Sequence, residues 1–265
     1  MLLASQKANQ NPRFQAARVL FAMVMREMNT RYGRTWGGYM WAILDPVGMI
    51  ALLTLAFSQF IHAPPIGASF ELFYATGYIP FYIYSEITNN TSMAVAFNKQ
   101  LMHFPAITPL DAVIARFILS VLTLLVVSVI VFFAIAFVSE WSGTLDLGAI
   151  VLATGLAALL GLGLGTMNCV LFAFFPVWQR VWMVLSRPLF LVSGVFFTYE
   201  SMPPQIQTIL WYNPLVHIVG VMRRGFYASY NADYVSLLYV GGIGVGSLVL
   251  GSALLIRHKS YVIES

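Results

Sequence analysis

The sequence predicts an all-α integral membrane protein: six transmembrane helices, an amphipathic interfacial helix ahead of them, and a re-entrant helical hairpin before the last span. Three observations carry that expectation. Of 265 residues, 59% are hydrophobic and 9% charged, with a mean hydropathy of +0.79, whereas soluble domains carry roughly 25% charged residues. A span needs about 20 mainly apolar residues, and such runs occur at 40–61, 71–95, 112–138, 147–173, 178–198 and 234–256, the second being the most polar. Lys and Arg, which gather on the cytoplasmic side, cluster before the first run and after the last, and are absent from the loops at 62–70 and 139–146. Both termini are therefore expected in the cytoplasm, and those two loops outside. Cys169, the single cysteine, sits in the fourth run, which excludes a disulfide framework or a Cys-based metal site and reads as a buried thiol.

The elements follow in chain order. In "RFQAARVLFAMVMREMNTRY", Phe14, Ala17, Phe21, Met25, Met28 and Tyr32 recur at three- and four-residue steps, the period of one helical face. Arg26, Glu27, Asn29, Thr30 and Arg31 mostly fall elsewhere, while Val19 and Met23 interrupt the polar side. Residues 13–34 thus read as an amphipathic helix in the inner headgroup layer, or else as an ordinary packed cytoplasmic helix. Residues 1–35 hold no secretory h-region with a cleavage site. Gly33, Gly37 and Gly38 allow the turn into the first span, and Trp36, Tyr39 and Trp41 fall at the interface, as amphipathic rings do.

Asp45 and Pro46 lie inside that first run. Pro46 is expected to interrupt the helical bonding, and Asp45 to find an arginine on an adjoining helix or to line the cytoplasmic mouth, because intramembrane charges acquire partners. In the second run, Tyr74, Tyr78, Tyr82, Glu86 and Asn90 recur every four residues, with Phe81, Ser85 and Asn89 one step away. That spacing holds them on one slowly drifting helical face. A carboxylate at this depth avoids lipid, and tyrosine rings offer flat faces to sugar C–H surfaces and hydroxyls for hydrogen bonds. The strip suits a sliding carbohydrate chain; packing between helices is the alternative.

Between the second and third runs, Lys99, Gln100, Leu101, Met102, His103 and Phe104 read as a short amphipathic helix stopped by Pro105, with Asp111 capping the next span. A solvated connector is the other reading. Gly161 and Gly165 in the fourth run, and Gly242 and Gly246 in the sixth, are each four apart, a spacing that lets helices approach within one subunit or between two. The outward segment 199–233 holds two short apolar stretches parted by Asn213 and Pro214, each too short to span, which suits a hairpin dipping into the outer leaflet. Arg223 and Arg224 on it depart from the charge rule; snorkelling to lipid phosphate is one reason for them.

The combination "TRYGRTWGGYMWAILDPVGMIALL", the six runs and "WYNPLVHIVGVMRRGFY" before the last resembles the membrane subunit of an ABC-2 type exporter over nearly the whole chain. Within that family it is similar to the capsular polysaccharide export permeases of Gram-negative bacteria, the KpsM type. The resemblance implies a single transmembrane domain over 1–265 in the bacterial inner membrane. It implies two copies around one central conduit, moving lipid-linked and acidic polysaccharide from cytoplasm to periplasm. It further implies two copies of a P-loop ATPase subunit, and periplasmic co-polymerase and outer-membrane export proteins. No Gly-x-x-x-x-Gly-Lys-Ser/Thr occurs in the chain, so ATP and magnesium are expected in the ATPase subunit, with no cofactor, catalytic residue or metal here.

On this reading Lys99–Phe104 contacts the ATPase. Trp41, Asp45, Tyr74, Tyr78, Tyr82, Glu86 and Asn90 line the substrate route, and Tyr212, Asn213, His217, Arg223 and Arg224 form an outer gate whose arginines meet the emerging polymer. No nucleic-acid partner is expected. The alternatives are an exporter of O-antigen, teichoic acid or drug, or a secondary carrier with Glu86 as its proton site. An intramembrane serine protease using Ser193 and His217 lacks the glycine its motif needs, because Leu191 and Val192 stand there.

Overall fold

The computed structural model describes residues 12–32, 38–103, 107–139 and 143–264, and within them the only regular structure is helical. In chain order the helices are α1 (Pro12–Tyr32), α2 (Gly38–Ser58), α3 (Phe70–Ser92), α4 (Ala94–Asn98), α5 (Pro109–Val138), α6 (Leu147–Phe174), α7 (Pro176–Leu191), α8 (Pro204–Leu210), α9 (Pro214–Phe226), α10 (Leu237–Arg257) and α11 (Lys259–Glu264), with 3₁₀ turns at Lys99–His103 and Tyr199–Ser201.

Side-chain caps start the long helices, satisfying backbone N–H groups that have no intrahelical partner. The Ser69 hydroxyl accepts from Leu72 N at 3.2 Å, the Asp146 carboxylate from Ala149 N at 3.1 Å and the Ser236 hydroxyl from Tyr239 N at 3.3 Å. Thr108 and Asp111 form a reciprocal capping box at the start of α5. That is the capping role expected of Asp111. Pro46 does not end α2: the helix runs through it from Gly38 to Ser58, as α3 runs through Pro80 and α7 through Pro188.

Among the described residues, four helices, α2, α5, α6 and α10, are long and apolar enough to cross a membrane. The second and fifth apolar runs form α3 and α7, which differ from those four for identifiable reasons. α3 carries Glu86, Asn89, Asn90 and three threonines, but its own chain encloses it: α2, α5, α6 and α9 pack around it, and every residue from Leu72 to Tyr84 is buried. α7 stops at Leu191, short of the expected 198, and the chain turns at Gly194 with φ +82°.

α6 is clasped between α3 and α10, and its glycines set both contacts. A Cβ at Gly161 would lie 2.9 Å from Tyr84 O, and one at Gly165 would strike the Thr91 hydroxyl. On the opposite side Gly163 abuts Gly244 and Ser247, while a Cβ at Gly251 would lie 2.7 Å from Met167 N. Gly161 and Gly165 therefore pack inside the subunit. Among the described residues, Gly242 and Gly246 have nothing within 4 Å of an added Cβ.

Two cores result. The larger joins α2, α3, α5, α6, α9 and α10. The smaller lies where α1, α4 and the start of α5 meet the ends of α6 and α10, and it holds Met23, Val95, Met102, Val113, Cys169 and Leu255. Cys169 is buried, as read from the sequence. α1 presents Val19, Leu20, Met23 and Glu27 to this core, whereas Ala17, Phe21 and Met25 of the apolar stripe stay exposed. The residues that seemed to spoil an amphipathic helix are the ones that anchor it; Phe14 and Tyr32 have side chains outside the described residues.

Candidate functional site

A cavity of about 260 Å³ opens between α2, α3 and α5 at the end of the molecule where α1 packs. Trp41 and Asp45 reach it from α2, Tyr82, Glu86 and Asn90 from α3, and Ser120 and Thr123 from α5. The four-residue spacing on α3 explains why three side chains converge there: each follows the last by about 40° around the helix. Asn90 Nδ2 donates to Ser120 Oγ at 3.1 Å and more weakly to Glu86 Oε2 at 3.5 Å. Two carboxylates thus face the cavity, and none of its described lining residues is Lys or Arg.

Of the seven pathway residues proposed from sequence, five share this wall and two do not. Tyr78 lies one turn further along, stacked on Tyr82 with ring centroids 5.7 Å apart and edge-on to Phe190 at 5.9 Å. Tyr74 is buried among Phe57, Phe70 and Phe73. The drift of a four-residue repeat around a 3.6-residue helix carries the outermost tyrosine off the cavity and into the core. Asp45 is exposed on α2 and makes no ion pair among the described residues.

Beneath the cavity sits a polar network that sequence reasoning missed. Arg116 Nε pairs with Glu27 Oε1 at 3.1 Å, and Arg116 Nη1 donates to Asn90 O at 3.2 Å. Asn98 Nδ2 donates to Glu27 Oε1 at 2.6 Å, and Arg26 Nη1 to Asn98 Oδ1 at 2.9 Å. Glu27 counted as part of a polar face, and Arg116 lay unremarked inside the third run. An arginine at that depth was itself the signal that a carboxylate must come to meet it. The Arg116 guanidinium also covers the ring of Phe97 at 4.4 Å, and that ring is 66% exposed.

Phe97 borders the segment proposed for the ATPase contact. Lys99–His103 forms a 3₁₀ turn continuing α4, not the separate amphipathic helix expected. Gln100 is exposed, Lys99 and Leu101 are half-buried, and Met102 is buried in the smaller core. Phe104 lies outside the described residues, as does the His103 side chain.

At the opposite end, α8 and α9 form two short helices separated at Asn213. Asn213 caps α9 by accepting from Leu215 N at 3.0 Å, and its Nδ2 donates to Val192 O at 3.0 Å, tying α9 to the end of α7. Tyr212 is exposed. His217 is fully buried, its Nε2 2.7 Å from Trp211 O, while its Nδ1 accepts from Ser236 N at 3.2 Å. Arg223 corrects an expectation. It is 1% exposed, donates to Phe197 O at 2.7 Å and Val195 O at 3.3 Å, and covers the Phe73 ring at 4.3 Å. A guanidinium committed to holding the turn after α7 against α3 presents no charge to a polymer. Arg224 alone of the pair is exposed.

The fold is that of a helical membrane protein, and comparison with known proteins places it among transport subunits. A family model described as ABC-2 type transporter matches residues 18–227, and the chain belongs to that family. It is 32% identical over 244 residues to the polysialic acid transport protein KpsM of Escherichia coli, covering 92% of this chain and 95% of that protein. It is 27% identical over 245 residues to the capsule polysaccharide export inner-membrane protein CtrC of Neisseria meningitidis, with 92% of each covered. To BexB of Haemophilus influenzae, of the same description, it is 28% identical over 236 residues, with 88% of each covered.

Proposed function

We propose that the chain is the permease subunit of an ATP-driven exporter carrying lipid-linked, acidic capsular polysaccharide from the cytoplasm to the periplasm. Two copies form the conduit in the bacterial inner membrane, and two ATPase subunits, holding ATP and magnesium, dock beneath at Phe97, Lys99 and Gln100. Periplasmic co-polymerase and outer-membrane export proteins receive the polymer. The names of the relatives support the substrate, and the charge rule supports cytoplasmic termini. The exposed stripe of α1 supports an interfacial position, since its apolar side is the one its own chain leaves uncovered. Six spans follow if α3 is shielded from lipid by its neighbours and α7 completes its crossing through residues 192–198. The pair α8 and α9 then makes the re-entrant hairpin.

The observation that carries the reading is the cavity shared by Trp41, Asp45, Tyr82, Glu86 and Asn90. Its aromatic faces and hydrogen-bonding groups suit sugar rings. Its two carboxylates repel acid groups, so the polymer's hydroxyl and C–H faces are what it touches. Tyr82→Ala combined with Glu86→Gln should lower surface polymer about tenfold at unchanged membrane levels of the protein, roughly 1.4 kcal/mol on the rate-limiting step. Wild-type amounts of surface polymer would reject this wall as the route.

A further inference from the structure

The wall that α5 gives the cavity holds a hydroxyl without a partner in the chain. α5 carries three hydroxyl side chains, Ser120, Thr123 and Ser128. Ser128 donates to the Leu124 carbonyl one turn back at 2.7 Å, and Thr88, Thr91, Thr166 and Ser247 make the same bond in their own helices. That bond satisfies a helical hydroxyl where lipid offers no acceptor. Ser120 accepts from Asn90 Nδ2 at 3.1 Å. Thr123, half-buried and lining the cavity, makes no hydrogen bond among the described residues. Its partner comes from what the cavity holds.

The register of the two helices sets what Thr123 faces. α3 and α5 run antiparallel: Asn90, near the end of α3, meets Ser120, while Leu72, near its start, shares an apolar groove with Phe132. Counted from the Asn90 and Ser120 contact toward the opposite end of the molecule, Glu86 is four residues on and Thr123 three. At 1.5 Å per residue they stand about 6 Å and about 4.5 Å beyond it, nearly level with each other. Both line the cavity. That level therefore joins a carboxylate, which only accepts, to a hydroxyl that also donates. Asn90 Nδ2 already lies 3.5 Å from Glu86 Oε2, and a carboxylate has about four lone-pair sites, so it can take a further donor.

We infer that Thr123 is the residue by which the cavity selects a free sugar hydroxyl: the Thr123 O–H donates to the sugar oxygen, and the sugar O–H donates to Glu86. A hydroxyl meets both demands at once. A carboxylate or sulfate on the sugar would face Glu86 with like charge. An acylated or methylated oxygen lacks the proton that Glu86 accepts. Such a site rejects the wrong substrate by leaving its own polar groups unpaired, a stronger filter than shape alone. Trp41 and Tyr82 on the same cavity offer the flat faces against which the ring lies. Between sugars, water takes the place of the hydroxyl.

The inference rests on the reading of this cavity as the polymer route, and the test separates the two. The chain, reconstituted with its ATPase subunit, is given glycolipid-linked polymer extracted from its own cells, native or chemically O-acetylated, and polymer-stimulated ATP hydrolysis is followed against polymer concentration. The wild type should need about fivefold more acetylated than native polymer for half-maximal stimulation, the size of one lost neutral hydrogen bond. Thr123→Val keeps the shape and removes the hydroxyl. It should need about fivefold more native polymer, reach the same maximum and no longer distinguish the two polymers. Thr123→Ser should restore the preference, and Thr154→Val, in the apolar groove between α5 and α6, should behave as wild type. A preference retained by Thr123→Val, or one that Thr123→Ser does not restore, overturns the Thr123 contact. If Thr123→Val matches wild type while Tyr82→Ala with Glu86→Gln loses stimulation, the route stands without that contact. If the double variant also matches wild type, the route itself is overturned.

Discussion

His217 illustrates what a residue's neighbours decide. Ser236 N donates to Nδ1, so Nδ1 must carry a lone pair, and Nε2 therefore carries the proton that it donates to Trp211 O. Both nitrogens are spent on backbone, and Trp211 and Tyr239 enclose the ring. Burial pushes the pKa down from the usual range, and the Trp211 carbonyl opposes that shift less strongly. The sign follows. With the folded pKa below about 6.5, the unfolded state takes up a proton first as pH falls, so stability present at neutral pH is lost below that value, at most about 1.4 kcal/mol per pH unit. The thermal midpoint of the purified protein should therefore fall between pH 7 and pH 5, and fall less in His217→Gln. Equal slopes in the two proteins would show that His217 is not the titrating group. The resemblance to exporters placed His217 in an outer gate. Its role in fixing α9 to the start of α10 depends on a contact with Ser236 that spacing alone does not reveal.

Among elements, α6 shows how far a pattern carries. Glycines four apart announce a close helix contact but not its partner. In α6 the pair Gly161 and Gly165 meets α3, Gly163, on the opposite side, meets α10, and the similarly spaced Gly242 and Gly246 of α10 have nothing among the described residues within 4 Å of an added Cβ. Gly165→Leu should thus drive a side chain into Thr91 and Thr88, costing about 1–3 kcal/mol or more by overpacking. Gly246→Ala should leave the subunit's thermal midpoint unchanged in detergent. A comparable fall for both would mean that the Gly246 face of α10 is packed within the subunit and not open as described. Five of the six runs were legible to within about three residues because apolar length is a one-dimensional property, whereas the fifth overran α7, which ends at Leu191. α1 was legible as a stripe but not as a fit: only the packing of Val19, Met23 and Glu27 against α5 makes sense of its irregular polar side.

Across the whole molecule, one continuous set of contacts joins the surface proposed for ATPase docking to the cavity, and we propose that it carries the coupling an exporter of this kind needs. The exposed ring of Phe97 supports the Arg116 guanidinium, Arg116 donates to the Asn90 carbonyl, and the Asn90 side chain donates to Ser120 and Glu86 on the cavity wall. Glu27 fixes Arg116 from the α1 side, so the path joins α1, the proposed docking turn and the cavity. Removing either member of that buried ion pair would strand the other at a cost of about 3–5 kcal/mol, which would confuse coupling with unfolding. Phe97→Ala leaves the pair whole and removes only the platform. With the ATPase subunit in proteoliposomes, this variant should hydrolyse ATP at close to the wild-type basal rate while polymer transport falls about tenfold, roughly 1.4 kcal/mol of lost coupling. If hydrolysis and transport decline together, Phe97 serves assembly of the complex. If neither changes, the signal enters elsewhere and the Arg116 network is a structural clamp for α1.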